Sequence, residues 1–433
     1  MADTDTVLRE INGRIAGDYD RVPYDPAPIP AIDAERLLGL AALYGAGPRN
    51  AAYDVLDLGC GTGVQLARIA AHNGGGRLIG ADLSQSACAL ATTRCESFGA
   101  HARIYCADFL DLNPEELGQF DLIYHVGVLY ITPPDVQRRL LDLIARCLKP
   151  GGVAVISYHY GVHSLVIAGL RNSVRLAVNR DAPPQEQVQT ARTALRNRAH
   201  MLGQFGGDQR MMQSVLQNAE AREDSVFYHE ILGEHFHALS TAALEGELGA
   251  HGVHFLNGVS PGPQGRPETA RERAIMADTF DYAGGGYRYS VFAKTDPARG
   301  PNPRSPGVLW ETPLRREGKQ SPVFRDPLSG ISINAGGVSA AALDLLAAEP
   351  LPWAAVARGA REALDAREIL GSRVALVSGG QALEREALGP GGLVSQELGG
   401  RSAKPPGRGL WGPNPGCNPI GPIGTEEKFR PGA

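Results

Sequence analysis

No CxxC pair occurs among the six cysteines (Cys60, Cys88, Cys95, Cys106, Cys147 and Cys417), which argues against a disulfide framework and fits a reducing cytoplasm. No excess of one charge is present either. The 42 Lys and Arg residues against 47 Asp and Glu leave a net charge of −5, so the broad basic field that nucleic acid requires is absent. No apolar run is long enough for a membrane: the stretch 140–170 is broken by Lys149, Pro150, Gly151 and Gly152, and the opening MADTDTVLREINGR holds no apolar segment. Neither a span nor a signal peptide is expected. GxSxG surrounds no serine, which removes the hydrolase elbow. In YHEILGEHFH (228–237), Gly233 stands where HExxH needs its second histidine, so no metal is expected and an amphipathic or interface role is preferred.

What is present is ordinary globular composition, 43% hydrophobic and 21% charged over 433 residues, enough for two or three domains. From residue 55 to about 160, strand-length apolar runs alternate with helical stretches, the pattern of a parallel sheet covered by helices. Strands are expected at 55–58, 77–82, 103–107, 120–126 and 152–158, and helices at 64–72, 85–98 and 134–148. Prolines 133 and 134 open the last helix, and glycines 151 and 152 follow it. Residues 161–234 are polar and lack strand-length runs, which predicts a helical insertion. The sheet resumes with a helix at 236–249, a strand from Val253, a short helix near 271–278 and a strand from Tyr287.

The predicted fold is α/β, a seven-stranded Rossmann-like sheet with a helical insertion and a small C-terminal module. Its units are an N-terminal cap (1–50), a sheet domain (51–160 and 235–296), the insertion (161–234), a module (307–370) and a Gly/Pro-rich, largely disordered tail (371–433). Residues 399–433 hold too little apolar surface to offset ordering entropy and are expected to be dispensable.

The most informative segment is VLDLGCGTG (55–63). An apolar strand reaches Asp57, and glycines at 59, 61 and 63 let the backbone turn and approach a ligand. A dinucleotide fingerprint would need glycine at position 64, which is Val64, so the spacing suits S-adenosylmethionine (SAM) better. A purely structural turn is the competing reading. The candidate cofactor loop is Asp57, Gly59, Cys60, Gly61, Thr62 and Gly63. In IGADLS, Asp82 is placed for the ribose hydroxyls and Leu83 for the adenine face; a helix-capping aspartate is the alternative. In CADFLDL, Asp108 suits the adenine amino group and Phe109 its edge, against another turn acid. His125 ends the fourth strand facing the ligand, whereas Asp121 begins it and is expected to be structural. Methyl transfer needs alignment and dryness more than acid or base. Aromatic faces favour a sulfonium, so Tyr19 is nominated for the cofactor and Tyr24, Tyr130, Tyr158 and His159 for the reacting centre.

The series VLDLGCGTG, IGADLS, CADFLDL, FDLIYHVGVLYITPP and LKPGGVAVISY resembles the class I SAM-dependent methyltransferases. YDRVPY, SYHYGVHSLVIAGLRN, SVFYHEILGEHFHALSTAALEGELGAHGVHFL, LWETPLRREG and VFRDPLSGISIN are similar to bacterial, rickettsial-type protein-lysine methyltransferases that carry a methyltransferase regulatory domain. The resemblance implies that Asp57 and the glycines line the methionine end of SAM, Asp82 its ribose and Asp108 with Phe109 its adenine, while YDRVPY closes over it. The acceptor implied is a protein lysine. A natural-product or other small-molecule acceptor is the alternative, and a non-catalytic SAM-binding interaction protein is a third reading. No nucleic acid and no membrane partner is expected.

Overall fold

The computed structural model describes residues 4–302 apart from 49–51, 71–72, 74, 100, 203–209, 260–266 and 283–285, and beyond 302 only short strands. Seven strands form one sheet in the order β3-β2-β1-β4-β5-β7-β6: β1 Val55–Leu58, β2 Leu78–Asp82, β3 Ala102–Cys106, β4 Phe120–His125, β5 Leu148–His159, β6 Val253–Gly258 and β7 Tyr287–Lys294. The pairings among β1 to β5 are parallel. β7 runs antiparallel to both β5 and β6, as the closing pair of strands predicts. Order reverses beside β1, so a crevice opens at the carboxyl ends of β1 and β4.

Alternate residues of each strand feed the two faces. Val55, Leu122, Tyr124, Val153 and Val155 pack under α2 (Ala34–Leu43) and α3 (Val64–Ala70). Leu56, Leu58, Ile123, Ala154 and Ile156 pack under α6 (Pro134–Cys147) and α11 (Thr241–Gly249). In α6, Val136, Leu140, Leu143, Ile144 and Cys147 recur at helical spacing and are buried, each large one contributing about 1.5–3 kcal/mol. Ser84 caps α4 (Gln85–Ser97) by accepting from the Ala87 amide, and Thr269 with Glu272 forms a capping box on α12 (Ala270–Asp281). At the opposite edge of the sheet, Asp121 accepts from the Asp54 amide and Lys149, a structural junction remote from the crevice.

Between β5 and β6 the insertion is helical: α7 (Gly161–Arg175), α8 (Pro184–Leu202), α9 (Arg210–Glu220), α10 (Asp224–Phe227) and a π-turn at Tyr228–Leu232. It has its own core of Val174, Val188, Leu195, Leu216, Phe227 and Leu232. The expected helix at 236–249 begins only at Thr241. Residues before it lie extended beside β5, where the His237 and Leu239 amides donate to the Tyr130 and His159 carbonyls. Tertiary pairing overrides helical periodicity there.

The N-terminal segment is an 18-residue helix, α1 (Thr4–Arg21). Beyond residue 302, Val323–Arg325 pairs antiparallel with Arg315–Arg316 and Ser332–Asn334, and Leu351–Pro352 with Leu309–Trp310. Arg373–Ser378 pairs with Gln381–Glu386 inside the stretch expected to be disordered. The stretch 399–433 lies outside the described residues. Among the described residues no helix is long and apolar enough to cross a membrane.

Candidate active site

The glycine loop turns at positive φ at Gly59, Gly61 and Gly63, but the three glycines answer different demands. A Cβ on Gly59 would meet Val128 Cγ2 at 2.2 Å and one on Gly63 would meet Ala91 Cβ at 2.8 Å, so these two are required by the protein's own packing. A Cβ on Gly61 meets nothing within 4 Å. Its bare face is the open one, available for close approach of a ligand.

Two carboxylates flank that opening. Asp57 is buried, and burial followed by the nearby charge of Asp82 pushes its pKa up to about 7. Because the folded chain holds this proton more tightly than the unfolded one (about 3.9), the group's contribution to stability is full below that value and is lost as pH rises towards 7. Asp82 accepts from the Gly61 amide at 2.8 Å and the Ser84 amide at 3.0 Å; burial raises its pKa while these bonds oppose the rise. It therefore braces the loop and caps the next strand end at once. Leu83 beside it is half-buried. Cys60 is buried, and burial holds its thiol well above the usual range, which keeps it inert.

On the next strand end, Asp108 receives both bonds of the Asn12 amide, at 3.0 and 2.9 Å, and the Leu110 amide. Phe109 is buried with its ring edge towards His125 at 6.4 Å. His125 donates from Nδ1 to the Leu58 carbonyl at 2.9 Å, and burial lowers its pKa to about 4, leaving a neutral ring whose Nε2 has no partner.

Helix α1 and the residues after it tie these strand ends together. Arg9 pairs with Asp111, Asp20 accepts from Ser84 and Ser86, and Asp25 accepts from Thr62 and Arg94. From the insertion, Tyr228 donates to Asp18 at 3.0 Å, His229 bonds the Val22 carbonyl at 2.7 Å, and Arg14 pairs with Glu234. The His229 ring also stacks on Tyr19 with centroids 4.0 Å apart. Among the described residues no group of three or more His, Cys, Asp or Glu side chains is arranged for a metal.

Next to the carboxylates lies an aromatic crevice. Tyr19, Tyr24, Phe236, Tyr287 and Tyr289 are half-buried, and Tyr130 and His159 are buried behind them. Tyr130 meets His159 at 4.7 Å, Tyr287 at 5.7 Å and Phe236 at 5.9 Å, each edge to face. Burial and then the charge of Glu230 raise the pKa of Tyr19, Tyr24 and Tyr130, so these phenols stay protonated. Tyr19 also feels Asp82, which places it between the cofactor-side acid and the crevice. His159 is pushed down to about 4 by burial and is a neutral ring.

Of the nominated aromatics, the structure brings Tyr19, Tyr24, Tyr130 and His159 together. Tyr158 is elsewhere. It sits one residue before His159 on β5 and so points to the other face, where its hydroxyl bonds Thr241 and Ser290 at 2.7 Å each in the core. Ser157 takes the crevice-facing place instead, bonding Tyr287 at 2.7 Å and accepting from the Gly127 amide. Asn12, Asp20 and Asp25 are not singled out by sequence, because their partners lie 37 to 96 residues away.

Residues 55–152 match the family model described as a methyltransferase domain. An uncharacterised protein of Rickettsia prowazekii is 32% identical over 143 residues, covering 33% of this chain and 57% of that relative. A ribosomal protein L11 methyltransferase of Geobacter metallireducens is 33% identical over 104 residues, covering 24% of this chain and 31% of that relative. The chain thus spans only part of the length of the curated relatives it matches. Among solved structures, PKMT2 from Rickettsia typhi, also solved in complex with AdoHcy, matches with a TM-score of 0.65 at 20% identity, covering 79% of this chain and 72% of that one. That likeness shows the fold, a seven-stranded Rossmann-like methyltransferase sheet.

Proposed function

We propose, from a methyltransferase domain whose glycine loop opens beside an aromatic crevice, that the chain transfers a methyl group from SAM to a nucleophile held in that crevice. One observation carries the reading: the face of Gly61 is open while Gly59 and Gly63 are packed, with Asp57 and Asp82 on either side. The residues present fit SAM. The bare Gly61 face admits its methionine portion, Asp57 suits its ammonium group, Asp82 its ribose hydroxyls, and Leu83, Asp108 and Phe109 its adenine. Tyr19 would be the ring that favours the positive charge of its sulfonium. The chain's own work is alignment and exclusion of water, since the phenols around the crevice stay protonated and both buried histidines are weak bases.

Asp82→Ala is expected to weaken binding of S-adenosylhomocysteine by about 1–3 kcal/mol, read by calorimetry. Equal affinity in parent and variant would remove Asp82 from the cofactor site.

A protein lysine is the acceptor favoured by the motif resemblance; a small molecule is the second reading, favoured by the depth at which the Tyr130 hydroxyl sits. Incubating the protein with a cell extract and methyl-labelled SAM, followed by mass spectrometry, should place the label on lysine side chains. Label found only on low-mass compounds would select the second reading, and no label above a Gly61→Val control would reject transfer.

A further inference from the structure

We propose that Glu230, supplied by the helical insertion, selects the acceptor: it holds a primary ammonium group in the aromatic crevice and takes its proton before methyl transfer. This rests on the methyltransferase reading above. Glu230 is hydrogen-bonded to Tyr130, whose ring meets His159, Tyr287 and Phe236, so its carboxylate borders that aromatic group. Its side chain keeps 18% of its surface and is not sealed in. Oε1 accepts from Tyr130 at 2.9 Å and Oε2 lies 3.4 Å from Arg222. It stands in the π-turn Tyr228–Leu232, an irregular turn that occurs frequently at functional sites.

A carboxylate among aromatic faces is the arrangement that attracts an organic cation and offers little to a neutral alcohol. The same surroundings disfavour a hydroxyl acceptor, which would need a strong base, whereas the phenols are held protonated and His125 and His159 are neutral. The step balances. The ammonium gives one proton to the Glu230 carboxylate, and the freed nitrogen lone pair forms the bond to the methyl carbon. The sulfur–methyl bond breaks with its electron pair left on sulfur, and Glu230 returns the proton to water. Arg222 competes with the incoming cation for Oε2, which gives the proposal an unusual signature: removing Arg222 and removing the charge of Glu230 should act in opposite directions.

The test uses n-butylammonium and n-butanol as probes, titrated into the full chain saturated with S-adenosylhomocysteine and followed by ligand-observed NMR. Butylammonium should bind about tenfold tighter than butanol. Glu230→Gln should erase that preference, with butanol affinity unchanged, and Arg222→Gln should strengthen butylammonium binding about threefold or more. Each variant is first shown to bind S-adenosylhomocysteine as the parent does. If Glu230→Gln fails to fold, the parent's preference and the direction of the Arg222→Gln change decide. Equal binding of the two probes by the parent, or weaker ammonium binding in Arg222→Gln, overturns the proposal. Failure of the parent to bind S-adenosylhomocysteine at all instead overturns the methyltransferase reading on which it rests.

Discussion

Deletion of residues 1–26 is expected to abolish methyl transfer while the seven-stranded sheet stays folded. The segment contributes few buried side chains, Leu8 and Asn12, so the core loses little on its removal. What it loses is function-bearing contact: Asn12 on Asp108, Asp20 on Ser84 and Ser86, Asp25 on Thr62 and Arg94, and the Tyr19 ring beside Asp82 and His229. Without them the strand ends lie open to water, and both alignment of the methyl donor and exclusion of solvent fail. Circular dichroism should show a melting transition for the deleted protein, and labelled-methyl assays should show no product. Tyr19→Ala alone should lower S-adenosylhomocysteine affinity or turnover by about tenfold, corresponding to about 1.4 kcal/mol, whereas Tyr282→Ala, 54% exposed just past the end of α12, should change neither. Tyr53 would be a poor comparator, because it is 6% exposed and belongs to the core. A deleted protein that methylates at the parent rate would return α1 to an ordinary packing role.

Gly61→Val should remove cofactor binding with only modest loss of stability. The position has φ +50°, so a side chain there costs about 1–2 kcal/mol of backbone strain, but an added Cβ meets no protein atom within 4 Å. They fill the open face, and S-adenosylhomocysteine affinity should fall by about a hundredfold or more in calorimetry. Gly59→Ala gives the contrast: its Cβ would collide with Val128, so that variant should melt earlier. Binding by Gly61→Val within about threefold of the parent would show that the ligand does not approach the loop from this side.

Much of the sheet was legible because each strand is a short apolar run closed by a turn signal. Strand bounds shift by one residue for β2, β3 and β4, and for β6 and β7 the starts agree. The fifth strand extends back to Leu148 because Leu148 still pairs with Phe120 of β4, ahead of a shift in register. The nominated carboxylates share that origin: Asp57 and Asp82 are among the last residues of β1 and β2, Asp108 follows β3, and the topology gathers these strand ends at one end of the sheet. The acceptor side was less so. Tyr158 and His159 were both nominated, although neighbours on a strand point to opposite faces, and period-two alternation alone would have separated them. Glu230 drew notice as part of a failed metal motif, since no local pattern announces a π-turn or a hydrogen bond to Tyr130 a hundred residues earlier.

The position of α1 in the chain also orders assembly. It precedes the sheet along the chain, yet its partners include Ser84, Asp108, Tyr228, His229 and Glu234, the last 220 residues downstream of Arg14. Contacts closing such long loops form late, because the chain entropy they remove is not offset until both sides are already ordered. The sheet and the insertion can each nucleate on their own cores, whereas the crevice between their side chains does not exist until α1 lies across them. A nascent or partly folded chain therefore carries an intact glycine loop before the Tyr19 ring and the insertion's side chains are in place beside it.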